Sequence, residues 1–175
     1  KGIGFLYINY RHKINPFIHG GAQERNMRGG TENVYGIVGL AKALEISYAE
    51  FEEQKMQILN LKKHMIEELI KKIPGVQFNG QCADLNHSLY TVLNVCLPPT
   101  AHNEMLLFNL DISGISASGG SACSSGSNIG SHVLAELNRD PKRGAVRFSF
   151  SKYNTVEEVA YTVETLSKLI LSQSN

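Results

Sequence analysis

The longest helical pattern in this chain, over residues 33–73, limits its fold more than any other feature. Apolar side chains recur at Val34, Ile37, Val38, Ala41, Leu44, Tyr48 and Phe51. They continue at Ile58, Leu59, Met65, Ile66, Leu69, Ile70 and Ile73, a spacing that keeps one face buried. Glu67 with Lys71, and Glu68 with Lys72, form i,i+4 pairs on the wet side. Pro74-Gly75 stops the pattern. At ~1.5 Å per residue such a helix would be roughly 60 Å long, wider than a small domain. It is therefore expected to bend or to bridge two domains, with a boundary inside or near its first turns.

Around this helix the chain alternates. Residues 4–9 are rich in β-branched and aromatic side chains and read as a buried strand. A polar loop follows with Pro16, then the glycine-rich runs His19-Gly20-Gly21 and Arg28-Gly29-Gly30-Thr31 that open the helix. Beyond Gly75, strands are expected at 76–79, 90–97, 112–118 and 145–150, and helices at 102–110 and 131–137. Thr155 with Glu158 three residues on is a capping box. The helix it starts is expected to bury Val156, Val159, Val163, Leu166 and Ile170. The pattern describes a compact α/β unit with no internal repeat.

Composition narrows the function classes. Hydrophobic residues are 42% and charged residues 19% of the 175, which is globular and not disordered. Net charge is +1, and no basic stripe points to nucleic acid. The apolar runs are too short to cross a bilayer. Cys82, Cys96 and Cys123 form no CxxC pair and no zinc-like spacing with the six histidines. An odd cysteine count without a signal peptide points to a reducing cytoplasm. The start, Lys1-Gly2-Ile3-Gly4, has no initiator Met and reads as a strand already under way, so the chain is expected to be cut from a longer one.

Three residues can carry chemistry. Cys123 sits in a Gly/Ser tract before a helix, where backbone N–H groups can stabilise a thiolate. The bland alternative is an inert small residue, which suits Cys82 and Cys96 better, since Cys96 lies inside a strand. The tract lacks the G-K-[ST] ending of a phosphate loop. Arg147, in the strand Val146-Arg147-Phe148, can grip a carboxylate with two parallel hydrogen bonds, or simply face solvent. Thr31 stands at the mouth of the long helix, where free N–H groups suit a phosphate, or is a plain N-cap.

These residues, in this order, resemble the cysteine desulfurases of the class V aminotransferase family, pyridoxal-phosphate (PLP) enzymes of fold-type I. Lys1 to Gly4 resembles the family's PKG strand, and residues 19–33 resemble its GG-QE-R-xx-R-x-GT-N signature. Residues 118–124 resemble the S-G-S-A-C-[ST] loop of the first desulfurase subgroup, with its glycine shifted by one residue. Val146-Arg147-Phe148-Ser149 resembles the [IV]-R-[FIL]-S strand.

The resemblance implies an α/β (α+β) fold in which residues 1–35 are the tail of the large cofactor-binding domain. Residues 36–175 would then be a long connecting helix and a small C-terminal domain, its short mixed sheet covered by helices. It implies PLP as cofactor and L-cysteine as substrate, converted to L-alanine with a persulfide on Cys123. Arg147 would bind the substrate carboxylate, and Thr31 the PLP phosphate of the neighbouring subunit in a homodimer. The sulfur acceptor would be an iron–sulfur scaffold or a tRNA-thiolation factor, with no nucleic acid or membrane partner. The family's Schiff-base lysine lies in an S-x-H-K segment before PKG, so it would precede residue 1 and the piece would be inactive alone. A selenocysteine lyase or other class V enzyme is the nearest rival reading. A PLP-independent thiol enzyme and a docking module stand further off.

Overall fold

The computed structural model describes residues 2–100, 103–119, 131–137, 140 and 142–171. By contacts the chain divides into two units, Lys1–Phe51 and Glu52–Asn175. The stretch expected as one helix is two, α2 (Val34–Ala49) and α3 (Phe51–Lys72). Glu50 stands between them with φ −101° and ψ 4°, off helical geometry.

The first unit begins with irregular chain and a single turn, α1 (Gln23–Asn26). In it Glu24, Arg25 and Asn26 have φ of 48°, 56° and 64°. This left-handed backbone costs L-residues roughly 1–2 kcal/mol each. Asn33 caps α2: its Oδ1 accepts from Gly36 N–H at 3.0 Å and its Nδ2 donates to Gly2 O at 3.4 Å. Residues 4–9, expected as a strand, form no ladder among the described residues, and Phe5, Leu6 and Tyr7 are exposed. β-propensity fits a residue for a pleated surface, but a strand exists only where a neighbour takes its hydrogen bonds.

The second unit holds the core. Its sheet has the order β1 (Gln77–Phe78), β2 (Val92–Pro99), β3 (Arg143–Ser149). Both pairings are antiparallel, so among the described residues the sheet is not the mixed one expected. The β2–β3 register sets Val95 opposite Val146 and Asn94 opposite Arg147. Leu93, Val95 and Leu97 of β2, with Val146 and Phe148 of β3, give the sheet's buried side. Against the same core lie Ile58, Leu61, Met65 and Leu69 of α3, and Val159, Val163, Leu166 and Ile170 of α6 (Val156–Leu171). Each such side chain contributes about 1.5–3 kcal/mol when fully buried. Val156, expected inside, is exposed in the first turn of α6.

Lys62 is the buried cation of α3, at 0% exposure. Its Nζ donates to Ser88 Oγ and to Leu89 O, each at 2.9 Å, which ties the loop before β2 to the helix. Burial lowers its pKa from the usual 10.5, opposed in part by the neighbouring Cys82. On the wet side Lys72 reaches Glu68 at 3.5 Å as expected, while Lys71 turns to Glu68 and Glu67 to Lys63. Exposed pairs of this kind contribute little.

A one-turn 3₁₀ helix, Asn103–Met105, leads into α4 (Leu106–Ile112). Residues 112–118, expected as a strand, are instead a helix end and a return. Gly114 N–H donates to Asp111 O at 2.8 Å and Ile115 N–H to Leu110 O at 2.9 Å, with Gly114 at φ 73°. Those two bonds, with buried Ile115 and Leu110, make a Schellman stop. It turns the chain back so that Ser118 meets β3. A short helix, α5 (His132–Glu136), is capped by Ser131 Oγ, which accepts from Leu134 N–H at 3.4 Å.

The capping box of α6 forms reciprocally. Glu158 N–H donates to Thr155 Oγ1 at 3.2 Å, and Thr155 N–H to Glu158 Oε2 at 3.1 Å. Hydrogen bonds from Asn154 and then Thr155 hold the Glu158 carboxyl below its usual 4.5. A lowered carboxyl pKa stabilises above the unfolded value and loses that contribution as pH falls through the folded one. Thr155→Ala should therefore weaken the first turn by ~0.5–2 kcal/mol, read as faster amide exchange at Glu158. Glu158→Gln should flatten the loss of protection below pH 4.5. Unchanged exchange in both variants would contradict this role.

Candidate active site

In the first unit two glycine runs cross. Ile18 and Arg28 form a parallel bridge, and Gly29 N–H donates to Ile18 O at 3.0 Å. A Cβ at Gly29 would lie 2.7 Å from both N and Cα of Gly20 and 3.0 Å from the His19 carbonyl carbon. These are backbone atoms, so no rotamer change relieves the clash. Gly30, at φ 114°, donates its N–H to Gln23 Oε1 at 3.2 Å. Arg28 Nη1 donates to Gly29 O at 3.0 Å. The crossed runs deliver Thr31, which is exposed, two residues before the cap of α2. The N-cap is Asn33 and not Thr31, so the threonine hydroxyl is not spent on the helix. An exposed hydroxyl just before the first turn of a sixteen-residue helix is chemistry that fits a phosphate, though not by itself a whole cofactor. His19 is exposed.

In the second unit Arg147 lies on β3 with buried neighbours, Val146 and Phe148, and is itself exposed. Among the described residues its guanidinium makes no hydrogen bond or ion pair. Its backbone is fully engaged by Ser118: Arg147 N–H donates to Ser118 O at 2.6 Å, and Ser118 N–H to Arg147 O at 3.1 Å. The base of the Gly/Ser tract is thereby fixed to the residue that presents the arginine. Cys123 lies outside the described residues.

The other thiols are accounted for. Cys96 is buried, and its sulfur accepts from Arg143 Nε at 3.2 Å. Cys82 is half-buried, with sulfur contacts to Asn94 N and O at 3.3 Å. Thr31 and Arg147 belong to different units, and Ser118 is the partner that motif reading leaves out. A cavity of about 380 Å³ lined by Phe78, Asn79, Cys96 and Asp140 includes neither Thr31 nor Arg147. Among the described residues no group of His, Cys, Asp and Glu could hold a metal, and no helix is long and apolar enough to cross a membrane.

Folds of this kind, with glycine-crossed chain before a helix and an arginine on a small antiparallel sheet, have known relatives. Residues 1–161 match the aminotransferase class-V family, and the chain belongs to it. It is 42% identical to "Cysteine desulfurase IscS" of Methanosarcina thermophila, over 100% of this chain and 43% of that protein. It is 38% identical to the protein of the same name from Dictyoglomus turgidum, over 97% of this chain and 43% of that one. The solved structure of a "NifS-like protein" superposes with a TM-score of 0.75 at 34% identity, covering 95% of this chain and 41% of its own. The chain thus spans about 43% of the length of these curated relatives.

The crossed glycines make a testable demand. Gly29→Ala should force the two runs apart, at a cost of about 1–3 kcal/mol for overpacking. The expected readout is loss of hydrogen-exchange protection at the residue 29 amide, with Gly39→Ala, whose Cβ meets nothing within 4 Å, as the silent control. Equal protection in Gly29→Ala and wild type would contradict the reading.

Proposed function

We propose that this chain is the C-terminal part of a PLP-dependent cysteine desulfurase that moves sulfur from L-cysteine to Cys123. The observation that carries the reading is the two-bond bridge between Ser118 and Arg147, in a chain similar to proteins named cysteine desulfurases. In the full-length protein residues 1–35 are the tail of the large domain, and 36–175 the connecting helix and small domain. The exposed apolar side chains of the first unit, Phe5, Tyr7, Phe17 and Tyr35 among them, fit a segment that the rest of a homodimeric enzyme covers.

Each residue then has a task. Arg147 binds the substrate carboxylate through its fork of N–H donors. The Thr31 hydroxyl donates to the PLP phosphate of the neighbouring subunit. Bound PLP supplies an electron sink next to the amino acid's Cα. The Cys123 thiolate attacks the substrate sulfur. The C–S bond breaks, its electron pair goes to Cβ, and Cβ takes a proton, so L-cysteine plus thiol becomes L-alanine plus persulfide. The persulfide passes to an iron–sulfur scaffold or a tRNA-thiolation protein. Free thiols at Cys82 and Cys96 support work in a reducing cytoplasm.

The test uses the full-length enzyme with L-cysteine and a thiol acceptor. Arg147→Ala should weaken cysteine binding by ~1.5–3 kcal/mol, roughly tenfold to a hundredfold in KM. Cys123→Ser should keep cysteine binding and lose alanine formation, because a serine hydroxyl neither ionises near neutral pH nor holds sulfane sulfur. Wild-type turnover in Cys123→Ser, or an unchanged KM in Arg147→Ala, would overturn the corresponding assignment.

A further inference from the structure

Arg147 exchanges its two backbone hydrogen bonds with Ser118, on the edge of β3 that faces away from β2. In an antiparallel ladder this leaves Arg147 and the residue opposite it on β2 as a non-hydrogen-bonded pair. That residue is Asn94. Its backbone is engaged on its own far side, where Asn94 O accepts from Asn79 N–H at 2.9 Å and Asn94 N–H donates to Cys82 Sγ at 3.3 Å. Side chains of such a pair stand close, with Cβ atoms about 4.5–5.5 Å apart. Both lie on the face turned away from the core, because Leu93 and Val95 flank Asn94, Val146 and Phe148 flank Arg147, and all four are buried in it.

The Asn94 amide is held in one sense. Its Oδ1 accepts from Asn79 Nδ2 at 2.8 Å. Its Nδ2 makes no hydrogen bond among the described residues, although Asn94 is half-buried. A carboxamide nitrogen carries two N–H donors and a guanidinium five. Register therefore brings two sets of unspent donors together, and among the described residues no carboxylate pairs with either.

We propose that Asn94 is a substrate-binding residue that sets specificity for a free carboxylate: its Nδ2 donates to the carboxylate that Arg147 grips, and Asn79 is the positioning residue that turns the amide that way. This rests on the reading of Arg147 as the carboxylate site and adds a second donor to it. A carboxylate offers about four lone-pair sites, so a guanidinium fork on two of them leaves room for a further N–H. A substrate with a carboxamide in place of the carboxylate would set an NH2 group against one of these donors and leave it unpaired. Without Asn79, the Asn94 amide is free to turn its oxygen toward the substrate.

The experiment is steady-state turnover of L-cysteine by the full-length holoenzyme, with L-alanine and L-alaninamide as competitive inhibitors. Asn94→Ala should raise KM roughly tenfold to a hundredfold, the usual loss for one hydrogen bond to a charged acceptor. Its kcat should stay at the wild-type value, as for an interaction made equally before and during the reaction. Inhibition by L-alanine should weaken by the same factor as KM, and the weak inhibition by L-alaninamide should not change. Asn94→Asp, equal in size but without the donor, should raise KM further than Asn94→Ala. Asn79→Ala should raise KM less, and should add nothing in the Asn94→Ala background. An equal loss for L-alanine and L-alaninamide, or a fall in kcat at unchanged KM, would overturn the proposal. Arg147→Ala is measured alongside. If it raises KM and Asn94→Ala does not, the Asn94 proposal falls and Arg147 keeps its assignment. If Arg147→Ala leaves KM unchanged, the carboxylate reading falls and this proposal with it.

Discussion

The antiparallel ladder between β2 and β3 is the constraint on which the second unit depends. Its register places Val95 against Val146 and Leu93 against Phe148, all four inside the core. Side chains alternate along a strand, so burying Val146 and Phe148 turns Arg147 outward. A slip of one residue would bury the guanidinium among α3 and α6 side chains and expose two apolar ones. That cost protects the arginine's position, though among the described residues its guanidinium makes no hydrogen bond or ion pair. The same outer edge of β3 exchanges two backbone hydrogen bonds with Ser118. Core packing thereby fixes both the arginine and the start of the thiol-bearing tract.

The first unit solves a different problem. It buries little apolar surface, and its order comes from close backbone approach. Gly20 and Gly29 pass nearer than any side chain permits, and the left-handed residues Glu24, Arg25 and Asn26 lie in the loop that joins them. Asn33 closes the arrangement by capping α2 and reaching back to Gly2. Glycine entropy and left-handed strain are costs of folding. Both are concentrated in the fifteen or so residues that lead to the exposed Thr31.

Much of this was legible in the residues. The capping box at Thr155 and Glu158, the buried stripe of α6 from Val159 to Ile170, and buried Cys96 follow from local pattern. Local pattern misleads where a single residue decides the path. Ile112, Ile115 and Ser116 read as strand, yet Gly114 at φ 73° completes a helix stop. The signal, a glycine two residues past a periodic apolar helix, was present and outweighed by β-branched composition. Residues 4–9 have strand composition without a partner among the described residues. Lys62 looks like one more wet lysine on a charged helix, and only the return of the loop at Ser88 and Leu89 shows it buried. Asn94 and Arg147 are separated along the chain, and no spacing rule joins them.

The central claim is that the residues around Arg147 serve a cysteine at position 123 that receives sulfur. Mass spectrometry of the full-length enzyme after one turnover with sulfur-labelled L-cysteine tests it most directly. The account predicts labelled sulfur on the peptide containing Cys123, and none on the peptides containing Cys82 or Cys96. Label on Cys82 or Cys96 with Cys123 unmodified would contradict it.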